Sequence, residues 1–265
     1  MKILIINLDR SKDRLAYQDS QAAKHGLEIT RLRAVEATDF SEETFGKLCE
    51  RWERPMHRTE VACFLSHVSA WQYVQQSNAP ALILEDDAVW SNTLAQALSA
   101  LNKIEDIDYV TLEVRGRKKL VSKSKLSLTK DLNLIRLYQD RTGAAGYVLW
   151  PSGAEKLLHR YAKNEVALAD AFICRAYELK AFQVEPACII QLDMCDHYQL
   201  REGAKTESTI SPQNRRRPEA SSKKSQLVCK TRRIRAQIRM LFRQVVPGAE
   251  RRFIQLKKSS FEVYE

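Results

Sequence analysis

Residues 81–90 read ALILEDDAVW. The apolar run Leu82-Ile83-Leu84 stops at three consecutive acids, Glu85-Asp86-Asp87, and the chain turns apolar again at Ala88-Val89-Trp90. So short a run cannot make a helix and suits a buried strand of a parallel sheet. Three like charges at the end of such a strand repel one another, so a positive group is expected beside them.

The amino terminus repeats the pattern. Ile3-Leu4-Ile5-Ile6 runs into Asn7, Asp9 and Arg10, and Ser11 then caps a helix expected over 12–24. An extended piece at 29–35 and a helix over 41–50 follow. In TEVACFLSHVSAWQYVQQ, from Thr59, the residues Val61, Phe64, Leu65, Val68 and Trp71 recur at helical spacing, with Thr59 as the cap. Further expectations are a helix over 92–102 behind Ser91, strands at 109–114, 132–138, 144–150 and 182–190, and a helix from Pro151 to Tyr161. The basic, Ser-rich stretch 115–130 reads as an exposed loop or hairpin. Strands alternating with helices predict a mostly parallel central sheet flanked by helices, whose ligands sit beyond the carboxyl ends of the strands. Both acidic strand ends would then face one cleft.

Carboxylates at such an edge suit Mg²⁺ or Mn²⁺, hard cations that take oxygen ligands and share their other positions with substrate phosphates. An acidic surface loop without function is the competing reading. A triplet placed directly behind a buried strand favours the metal.

Bulk composition sets outer limits. A chain of 265 residues with 44% hydrophobic content can bury a large core. The opening run is too short for a signal-peptide core, and no segment reaches the roughly 18 apolar residues of a spanning helix, so the expectation is a cytoplasmic protein. The six cysteines show no CxxC pair and read as reduced thiols; Cys195-Asp196-His197 lacks a second Cys/His pair at zinc spacing. Charge is uneven: residues 1–213 hold 28 Lys and Arg against 29 Asp and Glu, whereas residues 214–265 hold 15 against 4. The shift falls at SPQNRRRPEASSKKS and sets the expected division, a catalytic domain over 1–210 and a basic carboxyl-terminal segment over 211–265.

IINLDRSKDR at the start, EVACFLSHVSAW, ALILEDDAV, GYVLWPSGAEKLL, then Asp170 and the later STI at 208–210, in that order, resemble glycosyltransferase family 25, the bacterial lipooligosaccharide galactosyltransferases. The resemblance implies a GT-A-like α/β fold, a UDP-sugar donor, usually UDP-galactose, a divalent cation, and inversion to a β linkage on a lipooligosaccharide or lipopolysaccharide acceptor. Asn7, Asp9, Arg10 and Arg14 fall on the family's amino-terminal motif and are assigned to donor binding. Glu85, Asp86 and Asp87 fall on its acidic motif, with Asp87 and Glu85 as metal ligands and Glu85 and Asp86 also beside the donor. Ser66 and His67 fall on its LSH, where either would line the cleft. Two departures stand out: Ala62 replaces the usual Gly before Cys63, and Leu168-Ala169-Asp170 replaces Pro-Val-Asp.

Inverting transfer needs a base for the acceptor hydroxyl, and Asp170 matches the family's later aspartate. Its alternative is a helix cap for residues 171–180. His67 is otherwise a packed core histidine, His197 either a loop residue or a late metal ligand, Trp71 core, and Trp90 a possible sugar platform. UDP-glucose or UDP-N-acetylglucosamine are alternative donors, and Arg115, Arg117, Lys118 and Lys119 of the basic loop either stay solvated or touch donor phosphates or an anionic acceptor core. In TRRIRAQIRMLFRQVV the apolar Ile234, Ile238, Leu241, Phe242 and Val245 share one helical face, with Arg232, Arg233, Arg235, Arg239 and Arg243 elsewhere. Such a helix fits an anionic membrane surface, which would place the enzyme peripherally on the inner face of the bacterial inner membrane beside a lipid-linked acceptor. Packing on the core or a second subunit would also use it. Nucleic acid is not expected, for want of aromatic groups to stack on bases. A response-regulator receiver would need its acid pair after the first strand, and a non-catalytic membrane adaptor would leave Glu85-Asp86-Asp87 idle.

Overall fold

The computed structural model describes residues 1–140, 143–200, 221–244 and 246–261. In chain order it contains β1 (Lys2–Asn7), α1 (Lys12–Lys24), β2 (Thr30–Arg33), α2 (Glu42–Cys49), α3 (Arg58–Ser77), β3 (Ala81–Glu85), β4 (Ala88–Trp90), α4 (Leu94–Leu101), β5 (Tyr109–Thr111), β6 (Lys119–Ser122), β7 (Leu126–Ser127), β8 (Asn133–Gln139), β9 (Gly146–Leu149), α5 (Pro151–Ala162), α6 (Ala169–Cys174), β10 (Ala181–Glu185), β11 (Ile189–Gln191), α7 (Cys195–Tyr198), α8 (Lys223–Arg243) and β12 (Ala249–Arg252). The strands form one large sheet in the order β12-β6-β8-β10-β5-β9-β3-β1-β2, with β7 on β8, and a small pair β11-β4.

The two apolar runs sit side by side as β1 and β3, parallel, with Ile6 opposite Glu85. Alternation sends their side chains to two layers. Leu4, Ile6 and Ile83 join α3 residues Val61, Phe64, Val68 and Trp71 in one core; Ile3, Ile5, Leu82 and Leu84 join α4 residues Leu94, Leu98 and Leu101 in the other. Both faces are covered, which explains why neither strand alternates in sequence. The start of α3 is fixed by His57 rather than Thr59: His57 and Glu60 cap one another, and the His57 backbone N–H donates to the Glu60 carboxylate at 2.8 Å.

The expected α/β arrangement with flanking helices is present, but its sheet is mixed. Parallel pairing holds for β1 with β2 and β3, and for β10 with β5. β9 runs antiparallel between β3 and β5, and β8 runs antiparallel to β10. The stretch expected as an exposed loop or hairpin does hold strands, β6 and β7, both antiparallel to β8, but β6 is buried along its length. Lys119 makes this possible. Its ammonium is buried against Asp140 at 2.5 Å and donates to the Gln183 side chain at 2.7 Å, so its charge and hydrogens are satisfied inside the protein. The apolar stretch 182–190 divides at Pro186 into β10 and β11.

The expected boundary at residue 210 lies outside the described residues, as do the STI at 208–210 and Val245. Beyond it, α8 is followed by β12, which pairs antiparallel with β6. Arg252 pairs with the buried carboxylate of Glu185, the Ala187 N–H donates to Gln255 O at 2.9 Å, and Ile254 and Phe261 are buried. The last described residues are therefore part of the main fold.

Candidate active site

A cleft of about 840 Å³ opens at the carboxyl ends of β1 and β3, between the segment after β2, the start of α3, and the Asp170 turn. Backbone alternation divides the acidic triplet on its floor. Asp86 turns towards α1: it accepts from Asn7 Nδ2 at 2.8 Å and pairs with Arg14 at 2.9 Å. Burial pushes its carboxyl up, and the Arg14 guanidinium pulls it back down. Asn7 Nδ2 also donates to Ser11 O at 2.9 Å, and Gln18 Nε2 donates to the backbone oxygens of Asp86 and Ala88 at 3.0 and 2.9 Å. These contacts fix the turn after β3.

Glu85 and Asp87 point the other way and converge on one amide. Gln191 Nε2 lies 3.3 Å from Glu85 Oε2 and 3.4 Å from both Asp87 oxygens. Glu85 is held from behind by α3. Trp71 Nε1 donates to the Tyr147 hydroxyl at 2.9 Å, that hydroxyl lies 2.9 Å from His67 Nδ1, and His67 Nε2 lies 3.2 Å from Glu85 Oε1. With the hydroxyl donating to Nδ1, this network assigns the imidazole proton to Nε2, where it donates to Glu85. His67 is wholly buried, so its link to the cleft is the Glu85 carboxylate. Asp87 receives only the neutral Gln191 amide among the described side chains. Burial, then the charges of Glu85 and Asp86, push its carboxyl up to about 7.

Two crowded carboxylates short of positive charge suit a hard divalent cation. A second donor set adjoins them: Cys63, His67 and Glu85 offer ligand atoms within 4.8 Å of one another. Its sulfur and nitrogen suit a softer ion. Both His67 nitrogens are already engaged, so the oxygen pair Glu85 and Asp87 fits Mg²⁺ or Mn²⁺ better.

Asp170 stands on the cleft wall in the first turn of α6, its Oδ1 accepting from the Ala171 N–H at 2.6 Å. Burial and then this backbone bond act on it in opposite directions, and the net effect, with Glu85 nearby, is a raised pKa. Ser66 accepts from the Val35 N–H at 2.8 Å and donates to Ala62 O at 2.9 Å, tying the segment after β2 to α3 where both line the cleft. Arg10 lines the cleft and pairs with Glu36 at 2.7 Å. Asp9 is not brought in; it pairs with Arg31 and Arg33 on the surface beyond the cleft. His197 packs against Gly116, and Trp90 is buried beside His25.

Arg115 and Arg117, for which a solvated loop was the first reading and contact with an anionic ligand the second, line the cleft. Sequence reasoning missed two further contributors, Gln191 and Glu113. Gln191 reaches the acids because β11 pairs with β4, setting Gln191 opposite Ala88, a register no local pattern shows. Glu113 is buried next to the cleft, its Oε2 accepting from the Ala145 N–H at 2.9 Å and its Oε1 unpartnered among the described residues. Burial, then the Glu85 charge, push it up to about 8. An acid inside YVTLEV was the available signal. Gly143, on the cleft wall at φ +107°, backs Glu113 so closely that a Cβ would come within 2.8 Å of its Oε2.

The doubly covered mixed sheet thus carries an acid-floored cleft at the ends of its strands. The profile of Glycosyltransferase family 25 (LPS biosynthesis protein) matches residues 1–173, and the chain belongs to this family. It is 29% identical over 184 residues to a Glycosyltransferase 25 family member of Drosophila melanogaster, covering 65% of this chain and 30% of the relative. To Procollagen galactosyltransferase 2 of Mus musculus it is 27% identical, covering 71% of this chain and 34% of the relative. A Putative glycosyltransferase of Haemophilus influenzae is 23% identical, covering 71% and 69%. The chain spans about a third of the length of the animal relatives. Among solved structures, the inositol-1-phosphate CTP transferase from T. maritima superposes with a TM-score of 0.42 at 12% identity, covering 73% of this chain and 89% of that one.

Proposed function

We propose that the protein is a metal-dependent inverting galactosyltransferase that moves galactose from UDP-galactose to a sugar hydroxyl of a lipid-linked lipooligosaccharide or lipopolysaccharide acceptor, forming a β linkage. The observation that carries this reading is the convergence of Glu85 and Asp87 on the floor of the cleft with only neutral or hydrogen-bonding partners around them. Family membership and the galactosyltransferase name of one relative support the choice of sugar.

Glu85 and Asp87 would hold Mn²⁺ or Mg²⁺, which when bound neutralises charge on the departing diphosphate. Arg10, Arg115 and Arg117 supply further positive charge for the phosphates along the cleft wall. Asn7 acts one step back, by fixing Asp86 and thereby the turn that presents its neighbours; Arg14 shares that task and also lines the cleft. Asp170 takes the proton of the acceptor hydroxyl as its oxygen attacks the anomeric carbon and the bond from that carbon to the UDP oxygen breaks. Its raised pKa makes it a stronger base than a solvated carboxylate.

Release of UDP from a panel of UDP-sugars, with Mn²⁺ or chelator and with an oligosaccharide acceptor, tests the reading. UDP-galactose is expected to turn over only with metal. Asp87→Asn should abolish the metal response, and Asp170→Asn should lower transfer about 10²-fold or more while donor binding survives. Selective use of UDP-glucose or UDP-N-acetylglucosamine would overturn the sugar assignment. Failure with every UDP-sugar would overturn the transferase assignment.

A further inference from the structure

The helix α8 lies on the protein the wrong way round for a water-soluble surface. Its inward stripe is Ser225, Cys229, Arg232, Ala236, Met240 and Arg243, recurring every three or four residues. This stripe is held by polar contacts: Ser225 Oγ donates to Glu50 at 2.7 Å, Arg232 Nη1 donates to Glu50 O at 2.5 Å, and Arg243 donates to Tyr138 O and Tyr177 O at 3.1 and 3.2 Å while lying over the Tyr177 ring. The opposite stripe is apolar and open to solvent, with Ile234 54%, Ile238 47%, Leu241 61% and Phe242 78% exposed, and Leu227 extends it. A contiguous apolar stripe of this kind on a surface helix marks a partner.

The flanks of the stripe say which. At the helical repeat, Lys230 and Arg233 run along one edge and Arg235 and Arg239 along the other, all exposed. A second copy of the chain would bring these like charges against one another. An anionic headgroup layer would pair with both rows while the stripe enters the acyl boundary. No described helix is long and apolar enough to cross a membrane, so contact would be lateral.

The structure assigns the outward face of α8 as a docking surface for an anionic lipid bilayer. Its anchor point also sets where the bilayer lies. Glu50 and Trp52, whose backbone oxygens accept from Arg232, lead directly into Arg54 and His57 on the cleft wall. The helix is therefore anchored to the segment that leads into the cleft wall, and a bilayer on its outward face would lie on the side of the protein that carries that segment. Docking itself goes beyond the catalytic reading and does not depend on it.

The test is co-sedimentation of the 265-residue chain with vesicles of phosphatidylcholine alone or with about one-third phosphatidylglycerol. Binding is expected to rise about tenfold or more on the anionic vesicles and to fall as salt is raised. The variant Ile238→Glu/Leu241→Glu/Phe242→Glu should lose it without a change in unfolding midpoint, because these side chains face outward; Phe242→Glu alone should weaken it. Absence of binding to the anionic vesicles overturns the assignment. So does a concentration-dependent dimer in sedimentation velocity that the triple variant disperses while vesicle binding is lacking. Vesicle binding that the triple variant retains in full would also overturn it, since the basic residues alone would then account for the contact.

Discussion

Asp86 and Asp87 are chain neighbours with opposite surroundings. Asp86 is held by Asn7 and Arg14, whereas Asp87 faces the cleft with a single amide. The triplet was legible as a site because three acids closed an apolar run; which acid faces the ligand was not, since strand alternation decides that only once the partners on each side are placed. Asn7, Arg14 and His67 were likewise legible as positions, and the structure adds what each touches: Asn7 and Arg14 hold Asp86, Arg14 also lines the cleft, and His67 meets Glu85. Glu113 offers the sharpest test at this scale. Its carboxyl is held up at about 8, against roughly 4.3 for an unfolded chain. Between those values the folded protein keeps a proton that the unfolded chain has lost, so this group lowers stability progressively as pH rises from about 4.3 to about 8 and no further above that. Glu113→Gln keeps an acceptor for the Ala145 N–H and carries no such proton. Relative to the native chain it should unfold at the same temperature near pH 4 and at least ~2 °C higher by pH 8. Thermal unfolding across that pH series checks it, and an offset independent of pH would remove ionisation as the cause.

The elements that place the site are those with strong local patterns. β1, β3, α1 and α3 were each readable from periodicity or an unbroken apolar run, and they carry Asn7, Arg14, Ser66, His67 and the acids. β6 was not readable as buried, because its Lys119 and serine-rich flanks look solvated until Asp140, just past its partner strand β8, is brought against the ammonium. The packing of α5 on the sheet depends on one residue in a comparable way. A Cβ at Gly153 would meet the backbone oxygen of Asp108 at 2.2 Å, a contact that no side-chain rotation relieves. Asp108 also accepts from Ser152 at 2.7 Å and Lys156 at 2.6 Å, so α5 is tied at this point on both sides of the glycine. Gly153→Ala should therefore cost about 1–3 kcal/mol despite the better helix propensity of alanine, read as a lower denaturant midpoint at unchanged slope. A neutral or stabilising result would show that α5 can lift from β5 freely.

Across the whole molecule, charge and connectivity tell different stories. The basic excess beyond residue 213 set the expected division near residue 210, yet β12 pairs with β6, and Arg252 joins Lys125 in neutralising the buried Glu185 carboxylate. Composition could not reveal this because strand pairing over such a separation leaves no local trace. A chain ending at Gln244 should keep α8 and the Lys125 pair but lose Arg252, the second cation on Glu185, together with the edge strand, lowering the unfolding midpoint by about 5 °C or more and promoting aggregation. An unchanged midpoint would show that β12 adds nothing to the stability of the sheet. The same pairing sets a schedule on the ribosome. β6 is complete at Ser122 and its neighbour β12 begins at Ala249, so at ~5–20 residues per second the edge of β6 waits roughly 6–25 s for its final strand. During that interval the nascent chain carries an open strand edge and then a basic amphipathic helix, both exposed before the sheet can close.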